Sequence, residues 1–357
     1  MSSQLPTCVE RAYPGLSVEP SPFGTGLINL TLRGRLGALE VVVQRLHPVF
    51  AGTVHHDIEA VTAHLAARSL TTPRLVPTAD GRLWVDDDEG RPWRVLSYVA
   101  GGVAFDAVTT PALAHEAGKL VGGFHAALLD LEHDYVHVRP GVHDTAAHLA
   151  KLEAALLTHH AHRLRPEVER ASEALLGGRA ELCDASALPL RHAHGDLKIS
   201  NLLFDARGRG ICLVDLDTLG RMPLAFELGD ALRSWCNRAR EDADAAFDPD
   251  ILAAAVDGYA SAAPALDPSE VGSLVLGTRT IALELAARFL TDALEERYFG
   301  WDASRYPGRG EHQLARARGQ LALAHALDAR RSALEERVRA AFARGPGSAA
   351  ARARAST

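Results

Sequence analysis

The hydrophobic periodicity of this chain changes once, at Gly101-Gly102, and that change limits what the chain can fold into. Before it, apolar residues come in short runs separated by turn residues; after it, they recur every three or four positions. A stretch containing Pro20, Pro22, Gly24 and Gly26 leads into a first strand over 30–33. A turn at 34–37 follows, then an apolar strand over 39–46. Ile58, Val61 and Leu65 predict a helix ending before Pro73. Residues 82–85 and 93–99, joined by the acidic turn 86–90, predict a hairpin. Beyond the glycine pair, Leu113, Ala117, Leu120, Val121, Phe124 and Leu128 fall on one helical face. Leu149, Leu152 and Leu156 continue the style, as do Ile251, Ala255 and Tyr259, and two long helices are predicted over 271–294 and 314–342. One island interrupts them: 202–216 reads as a short β-hairpin with a Gly-rich turn. The expected fold class is therefore α+β, with a small β-rich lobe over 1–100 and a larger helical lobe over 101–344. Residues 345–357 form a small, polar, Arg-bearing tail expected to be disordered. A site at the cleft of two such lobes can exclude water by closing.

Composition removes several classes of function. A net charge of -7 argues against nucleic-acid binding, which needs an excess of Lys and Arg to meet phosphates. No apolar run approaches the ~20 residues of a membrane span, and the first residues lack the pattern of a secretory signal. Cys8, Cys183, Cys212 and Cys236 are scattered, without CxxC spacing, which fits reduced thiols in a cytoplasmic protein.

The chemistry concentrates between His194 and Asp217. His194-Gly195-Asp196-Leu197-Lys198-Ile199-Ser200-Asn201 is followed closely by Val214-Asp215-Leu216-Asp217. Phosphoryl transfer asks a protein mainly for positioning and charge stabilisation. Asp196 is placed to take the proton of an attacking hydroxyl. Asn201 and Asp215 offer hard oxygens for Mg2+, from the loop and from the end of the returning strand. Asp217 is either a second metal ligand or a carboxylate that stabilises the loop.

This H-G-D-x-x-x-x-N string, followed by a strand ending in D-x-D, resembles the aminoglycoside phosphotransferase and choline kinase superfamily, which has the protein-kinase-like two-lobe fold. The resemblance implies Asp196 as catalytic base, Asn201 and Asp215 as Mg2+ ligands, and Lys198 as a cation steadying the transferred phosphoryl group. It also implies that Asp230 braces the catalytic loop. His192 and His194 flank the loop and are read as bracing it too. No long activation segment ending in A-P-E is present, which argues against a protein kinase.

On the nucleotide side, Gly24-Thr25-Gly26-Leu27-Ile28-Asn29 can form a turn over phosphate, with Gly24, Gly26 and Asn29 in contact. In the kinase frame the strand Val41-Val42-Val43-Gln44-Arg45 should carry a phosphate-anchoring Lys, and it has none. Gln44 or Arg45 stands there, and alternation lets only one face the cleft. Glu59, or alternatively Asp57, would be the helix partner, and Leu96 and Tyr98 would line the adenine site.

Within the superfamily the chain is most similar to the N-acetylhexosamine 1-kinase group. Gly26-Leu27-Ile28-Asn29, Gln44-Arg45-Leu46, the catalytic string with Lys198, and Glu284 to Asp292 carry this similarity. That group usually has Gln where others have Lys. The implied acceptor is a hexose or N-acetylhexosamine, with His143, Trp235 and Arg288 as sugar contacts beside Asp196, and ATP and Mg2+ as cofactors. Two alternatives remain. An aminoglycoside or amino-alcohol kinase would use the carboxylates Glu241, Asp242, Asp244 and Asp248 to attract a cation. A regulatory pseudokinase would bind nucleotide without turnover. The preferred sugar, the hydroxyl attacked and the oligomeric state are not encoded in any motif.

Overall fold

The computed structural model describes residues 5–23, 29–138, 141–177, 181–243 and 245–345. Gly24, Gly26, Asp244 and residues 346–357 of the predicted tail lie outside the described residues. The chain forms two compact units, each drawn from more than one stretch of the sequence. The first comprises Met1–Val103, Ala127–Val138 and Leu203–Gly220; the second comprises Ala104–Ala126, Arg139–Leu202 and Arg221–Thr357.

The first unit is built on a five-stranded antiparallel sheet. Its strands are β1 (Leu16–Pro22), β2 (Leu30–Leu36), β3 (Leu39–Arg45), β4 (Val85–Asp86) and β5 (Pro92–Ser97), in the order β1-β2-β3-β5-β4. Sequence periodicity had no strand over Leu16–Pro22. Its two prolines cannot donate to a ladder, which is tolerated at an edge, and its register shifts between Val18 and Pro22. Alternation sorts the central strands into two faces. Val41, Val43, Trp93 and Val95 pack with Leu5, Val9 and Tyr13 of the α1 region (α1, Thr7–Ala12). Each such side chain contributes roughly 1.5–3 kcal/mol on leaving water. The opposite face carries Val42, Gln44, Arg94 and Leu96. Helix α2 (Val54–Ala67) packs against the 3₁₀ turn Leu216–Thr218. That turn follows the predicted hairpin, β7 (Leu202–Phe204) with β8 (Gly210–Leu213). Val103 and Phe204 exchange two backbone hydrogen bonds of 2.9 Å, tying the hairpin to the end of the sheet segment.

The second unit is helical: α3 (Pro111–Ala127), α4 (Thr145–Thr158), α5 (Arg165–Gly177), α6 (Leu224–Trp235), α7 (Pro249–Ala262), α8 (Pro268–Glu295), α9 (Arg309–Asp328) and α10 (Arg331–Arg344). It also holds a two-stranded sheet of β6 (Leu190–Ala193) and β9 (Gly220–Pro223). Helix α8, 28 residues long, is the axis, packed by α4, α5, α6, α9 and α10. Gly277 permits the tight α6–α8 crossing, since a Cβ there would sit 2.2 Å from the Ala225 carbonyl oxygen. The single helix predicted over 314–342 is two helices, because Arg330 leaves the helical region (φ -122°, ψ 5°). The apolar rhythm continues across the break because both pieces bury one face: Leu321 and Leu327 before it, Leu334 and Val338 after it.

Candidate active site

Strand β6 delivers the chain to His194, and Gly195 turns it with φ of 80°, a region that disfavours any residue with a Cβ. The turn is held from beneath by Glu227 on α6. Its Oε1 accepts the His194 N–H at 2.7 Å and its Oε2 the Gly195 N–H at 3.0 Å. Burial pushes this carboxyl up, but His125 and the loop N–H groups hold it below the ordinary carboxylate range. His125 Nε2 lies 3.5 Å from Glu227, while its Nδ1 hydrogen-bonds the Tyr259 hydroxyl at 2.9 Å. The bracing carboxylate expected at Asp230 is therefore Glu227. Asp230 accepts instead from Arg233 Nε and Nη2, at 3.0 and 2.8 Å. Glu227 and Asp230 are three apart and so share a helical side. His194 is fully buried and its Nδ1 accepts the Asp196 N–H at 3.3 Å; His192 Nε2 meets Arg221 Nη2 at 3.1 Å.

The structure brings Asp196, Lys198 and Asn201 together on this loop. Lys198 Nζ pairs with Asp196 Oδ2 at 2.9 Å, with both side chains partly open to solvent. Asn201 closes the 3₁₀ turn Ile199–Asn201 and donates Nδ2 to the Asp196 carbonyl at 2.9 Å. That bond fixes the amide's orientation and leaves Oδ1 as its available oxygen. Trp235 is 3% exposed and donates its indole N–H to the Leu197 carbonyl at 2.8 Å. It is part of the loop's floor, and its ring is not open to stack on a sugar.

Other predicted contacts of the helical unit sit on α8 and its neighbours. His143 Nδ1 meets Glu284 Oε1 at 3.1 Å, and Thr145 Oγ1 donates to Glu284 Oε2 at 2.7 Å. Arg288 lies with its guanidinium carbon 5.5 Å over the Phe299 ring and makes no hydrogen bond or ion pair among the described residues. Burial pushes the Asp230 carboxyl up, but Arg233, and after it His143 and Arg288, pull it below the ordinary carboxylate range. Arg233, missed in the sequence, lies half-buried between Asp230 and Glu241, and Asp196 is among the carboxylates that raise its pKa. The described carboxylates of the supposed acidic cluster, Glu241, Asp242 and Asp248, are each paired with arginine. Glu241 takes Arg316 Nε and Nη2 at 2.8 and 2.5 Å, Asp242 takes Arg240 and Arg305, and Asp248 takes Arg238 at 3.1 Å.

In the sheet unit, Thr31, Gln44 and Arg94 are cross-strand neighbours on β2, β3 and β5. Gln44 Nε2 donates to Thr31 Oγ1 at 3.1 Å, and Gln44 Oε1 accepts Arg94 Nε and Nη2 at 2.9 and 2.8 Å. Arg94 Nη1 donates to Asp217 Oδ1, and Arg94 and Asp217 are each 1% exposed. Asp217 is thus neither in solvent nor open to a metal: burial pushes its carboxyl up, and Arg94 with Asn29 pulls it below the ordinary range. Asn29 Nδ2 reaches Asp217 Oδ2 at 2.7 Å while its Oδ1 accepts the His47 N–H at 2.8 Å. His55, fully buried on α2, is pushed down to about 3 by burial and by the Arg94 charge. Arg45 points to the other face, 5.9 Å over the Trp93 ring. Glu59 is not brought to Gln44; it pairs with Arg74 at 2.5 Å, both about a third exposed. Asp57 is buried and accepts from His133, Val136 N–H and His137 N–H. Leu96 is half-buried opposite Val42, and the Tyr98 ring lies 4.5 Å beneath the Arg33 guanidinium.

Asp215 has φ of 63° and ψ of 57°, a conformation few residues other than Gly adopt, and one that Asp tolerates better than most. Such outliers persist where the surroundings over-determine them. Asn201 and Asp215 offer the hard oxygen donors that Mg2+ requires. Among the described residues no three His, Cys, Asp or Glu gather as a cation cage. An ion that completes its shell with phosphate and water needs only one or two protein oxygens.

Residues 19–265 match the phosphotransferase enzyme family (APH). The chain is similar in structure to the amicoumacin kinase hAmiN in complex with AMP-PNP, Ca2+ and Ami, at 15% identity and TM-score 0.59, covering 88% of this chain and 91% of that one. An aminoglycoside phosphotransferase from Alicyclobacillus acidocaldarius subsp. acidocaldarius DSM 446 aligns at 17% identity and TM-score 0.59, over 95% and 98% of the two chains. A microcompartment-associated aminopropanol kinase aligns at 18% and 0.58, over 92% and 97%. At these identities the likeness carries the fold, which is kinase-like. The family match spans more than half of the sequence, and the chain belongs to the phosphotransferase enzyme family.

Proposed function

We propose that the chain is an ATP- and Mg2+-dependent sugar 1-kinase of the N-acetylhexosamine 1-kinase type. The sheet unit binds nucleotide, with adenine at Leu96 and Tyr98, and the helical unit binds the acceptor. Asp196 takes the proton of the anomeric hydroxyl as that oxygen attacks the γ-phosphorus. The bond to the β-phosphate oxygen breaks, giving ADP and a sugar 1-phosphate. A base so positioned contributes about 10²–10⁴-fold. Lys198, paired to Asp196, offers its ammonium to the equatorial oxygens of the transferring group. Mg2+, bound through Asn201 Oδ1 and Asp215, would supply charge neutralisation on the phosphates.

One observation carries the acceptor class. Glu241, Asp242 and Asp248, the carboxylates that an aminoglycoside or amino-alcohol would need, are each tied to arginine. Arg288 adds a guanidinium that stacks over Phe299 and has no hydrogen-bond or ion-pair partner among the described residues, a planar fork for hydroxyl and amide oxygens. This environment disfavours a cation and suits a neutral, oxygen-rich acceptor. His143, oriented by Glu284, is its proposed neighbour.

The test is ADP release with MgATP against N-acetylhexosamines, hexoses, choline, homoserine and aminoglycosides, with Asp196→Asn as control. Turnover confined to free-anomeric sugars, and lost with a 1-O-methyl glycoside, is expected. Turnover on aminoglycosides or amino-alcohols alone sinks the sugar reading, and ATP binding without turnover on any acceptor favours the pseudokinase.

A further inference from the structure

Among the described residues, Arg94 is the largest side chain fully withdrawn from water, and a buried guanidinium is costly unless its charge and donors are answered. Here they are. Nε and Nη2 converge on Gln44 Oε1, and Nη1 reaches Asp217 Oδ1. At 1% exposure Arg94 offers nothing to a phosphate directly, so it does not replace the missing strand lysine as an anchor. What it holds is the turn behind Asp215. Asp217 is the middle residue of the 3₁₀ turn Leu216–Thr218, and Asp215 is the residue that caps it. Both Asp217 oxygens are occupied, one by Arg94 and one by Asn29, and Leu216 is buried between. A three-residue turn pinned by both oxygens of its central carboxylate has little freedom, and the left-handed backbone at Asp215 inherits that restraint. Gln44 completes the clamp from the other end. With Oε1 filled by two Arg94 donors, its Nε2 is committed to Thr31.

We propose that Arg94 is a positioning residue for the metal-binding carboxylate: its fork, fixed by Gln44, locks Asp217 and so sets the backbone from which Asp215 presents its oxygens. This rests on the reading of Asp215 as a Mg2+ ligand. On this view a Gln on β3 is not a lost lysine but the acceptor that a cation on β5 requires.

The decisive variant is Arg94→Met with Asp217→Leu, which removes the buried pair and fills its space with apolar groups, a change that commonly leaves stability near wild type. Three quantities are read: the unfolding midpoint, Mn2+ binding in the presence of AMP-PNP by EPR of free Mn2+, and kcat with its Mg2+ dependence. The expected result is a cooperative fold, Mn2+ binding weakened at least ~10-fold, and kcat lowered at least ~10-fold, as for a small misplacement at a reacting centre. A folded double variant with wild-type Mn2+ binding overturns the proposal, because the pair would then serve folding alone. Should the double variant fail to fold, Arg94→Lys decides. It keeps a charge opposite Asp217 without the fork to Gln44, and wild-type Mn2+ binding there overturns the proposal equally. Asp215→Asn in the wild-type background is the control for the underlying reading. If it leaves Mn2+ binding intact, the metal assignment fails; if it weakens binding while the double variant does not, the positioning role alone fails.

Discussion

The Asp196 loop of the helical unit and the polar row of the sheet unit solve opposite problems. The loop keeps Asp196 and Lys198 open to solvent and buries only what supports them: Glu227 under two N–H groups, and Trp235 under the Leu197 carbonyl. The row is withdrawn from water at its far end, with Thr31 and Gln44 half-buried and Arg94 and Asp217 buried. Thr31, Gln44, Arg94 and Asp217 form a chain of hydrogen bonds that ends on a fully withdrawn ion pair. A site that must meet a substrate can be marked by short-range spacing, because its residues lie on one loop. A site that only holds backbone draws on three strands and a turn, and spacing along the chain says little about it. Breaking the loop should cost rate at Asp196 and stability at its floor, and replacing the buried pair of the row should cost the geometry of Asp215.

The largest expected effect is on rate. Asp196→Asn should lower kcat by about 10²–10⁴-fold while ATP affinity stays similar, since it removes a base and no nucleotide contact. Steady-state kinetics with nucleotide titration checks this, and a wild-type kcat would remove Asp196 from the mechanism. Next comes the loop's floor. Glu227→Ala strands two inward-facing N–H groups and should destabilise the protein by about 2–5 kcal/mol, read as a shift in urea midpoint. A shift under about 0.5 kcal/mol would mean that the loop does not depend on that carboxylate.

His55 sharpens the comparison through pH. Its folded pKa of about 3 lies below the ordinary 6.5, so between those values the unfolded chain binds a proton that the folded chain refuses. Stability from this group is full above pH 6.5 and is lost as pH falls. The loss between pH 7 and pH 5 should be about 2 kcal/mol. His55→Asn, which retains a donor for the Gly52 carbonyl, should flatten that acid limb. An unchanged slope in denaturation at the two pH values would contradict the assignment. The smallest effect is expected at Glu59. Its pair with Arg74 is about a third exposed on both sides, so Glu59→Ala should change stability by less than about 0.5 kcal/mol and leave nucleotide affinity unchanged. A large loss of affinity would restore Glu59 to the nucleotide site.

Much of the fold was legible because its signals are local. Short apolar runs before Gly101-Gly102 located the central strands of the larger sheet, helical periodicity after it located most of the long helices, and the island over 202–216 located the hairpin now seen as β7 and β8. The failures have a common cause. Leu16–Pro22 pairs through β2 despite its prolines, and 314–342 breaks at Arg330 although its apolar rhythm runs on. In both, a neighbouring element overrides local preference. The candidate site divides the same way. Asp196, Lys198 and Asn201 lie within six consecutive residues, and the structure gathers them. The resemblance implies Trp235 as a sugar contact and Asp230 as the brace, but a motif does not show which residue a side chain meets: Trp235 bonds the Leu197 carbonyl and Asp230 bonds Arg233.

The sequence by itself determined the two-part architecture and a loop chemistry fit for phosphoryl transfer, since both are written in spacings shorter than a helix. Only the tertiary structure decided that Arg94 stands behind Gln44 and that Asp217 is buried against it. It also decided that Glu227 rather than Asp230 lies under the loop. Those pairings join residues 33 to 123 positions apart. Their energies come from desolvation and hydrogen bonding, which exist only once the chain has folded.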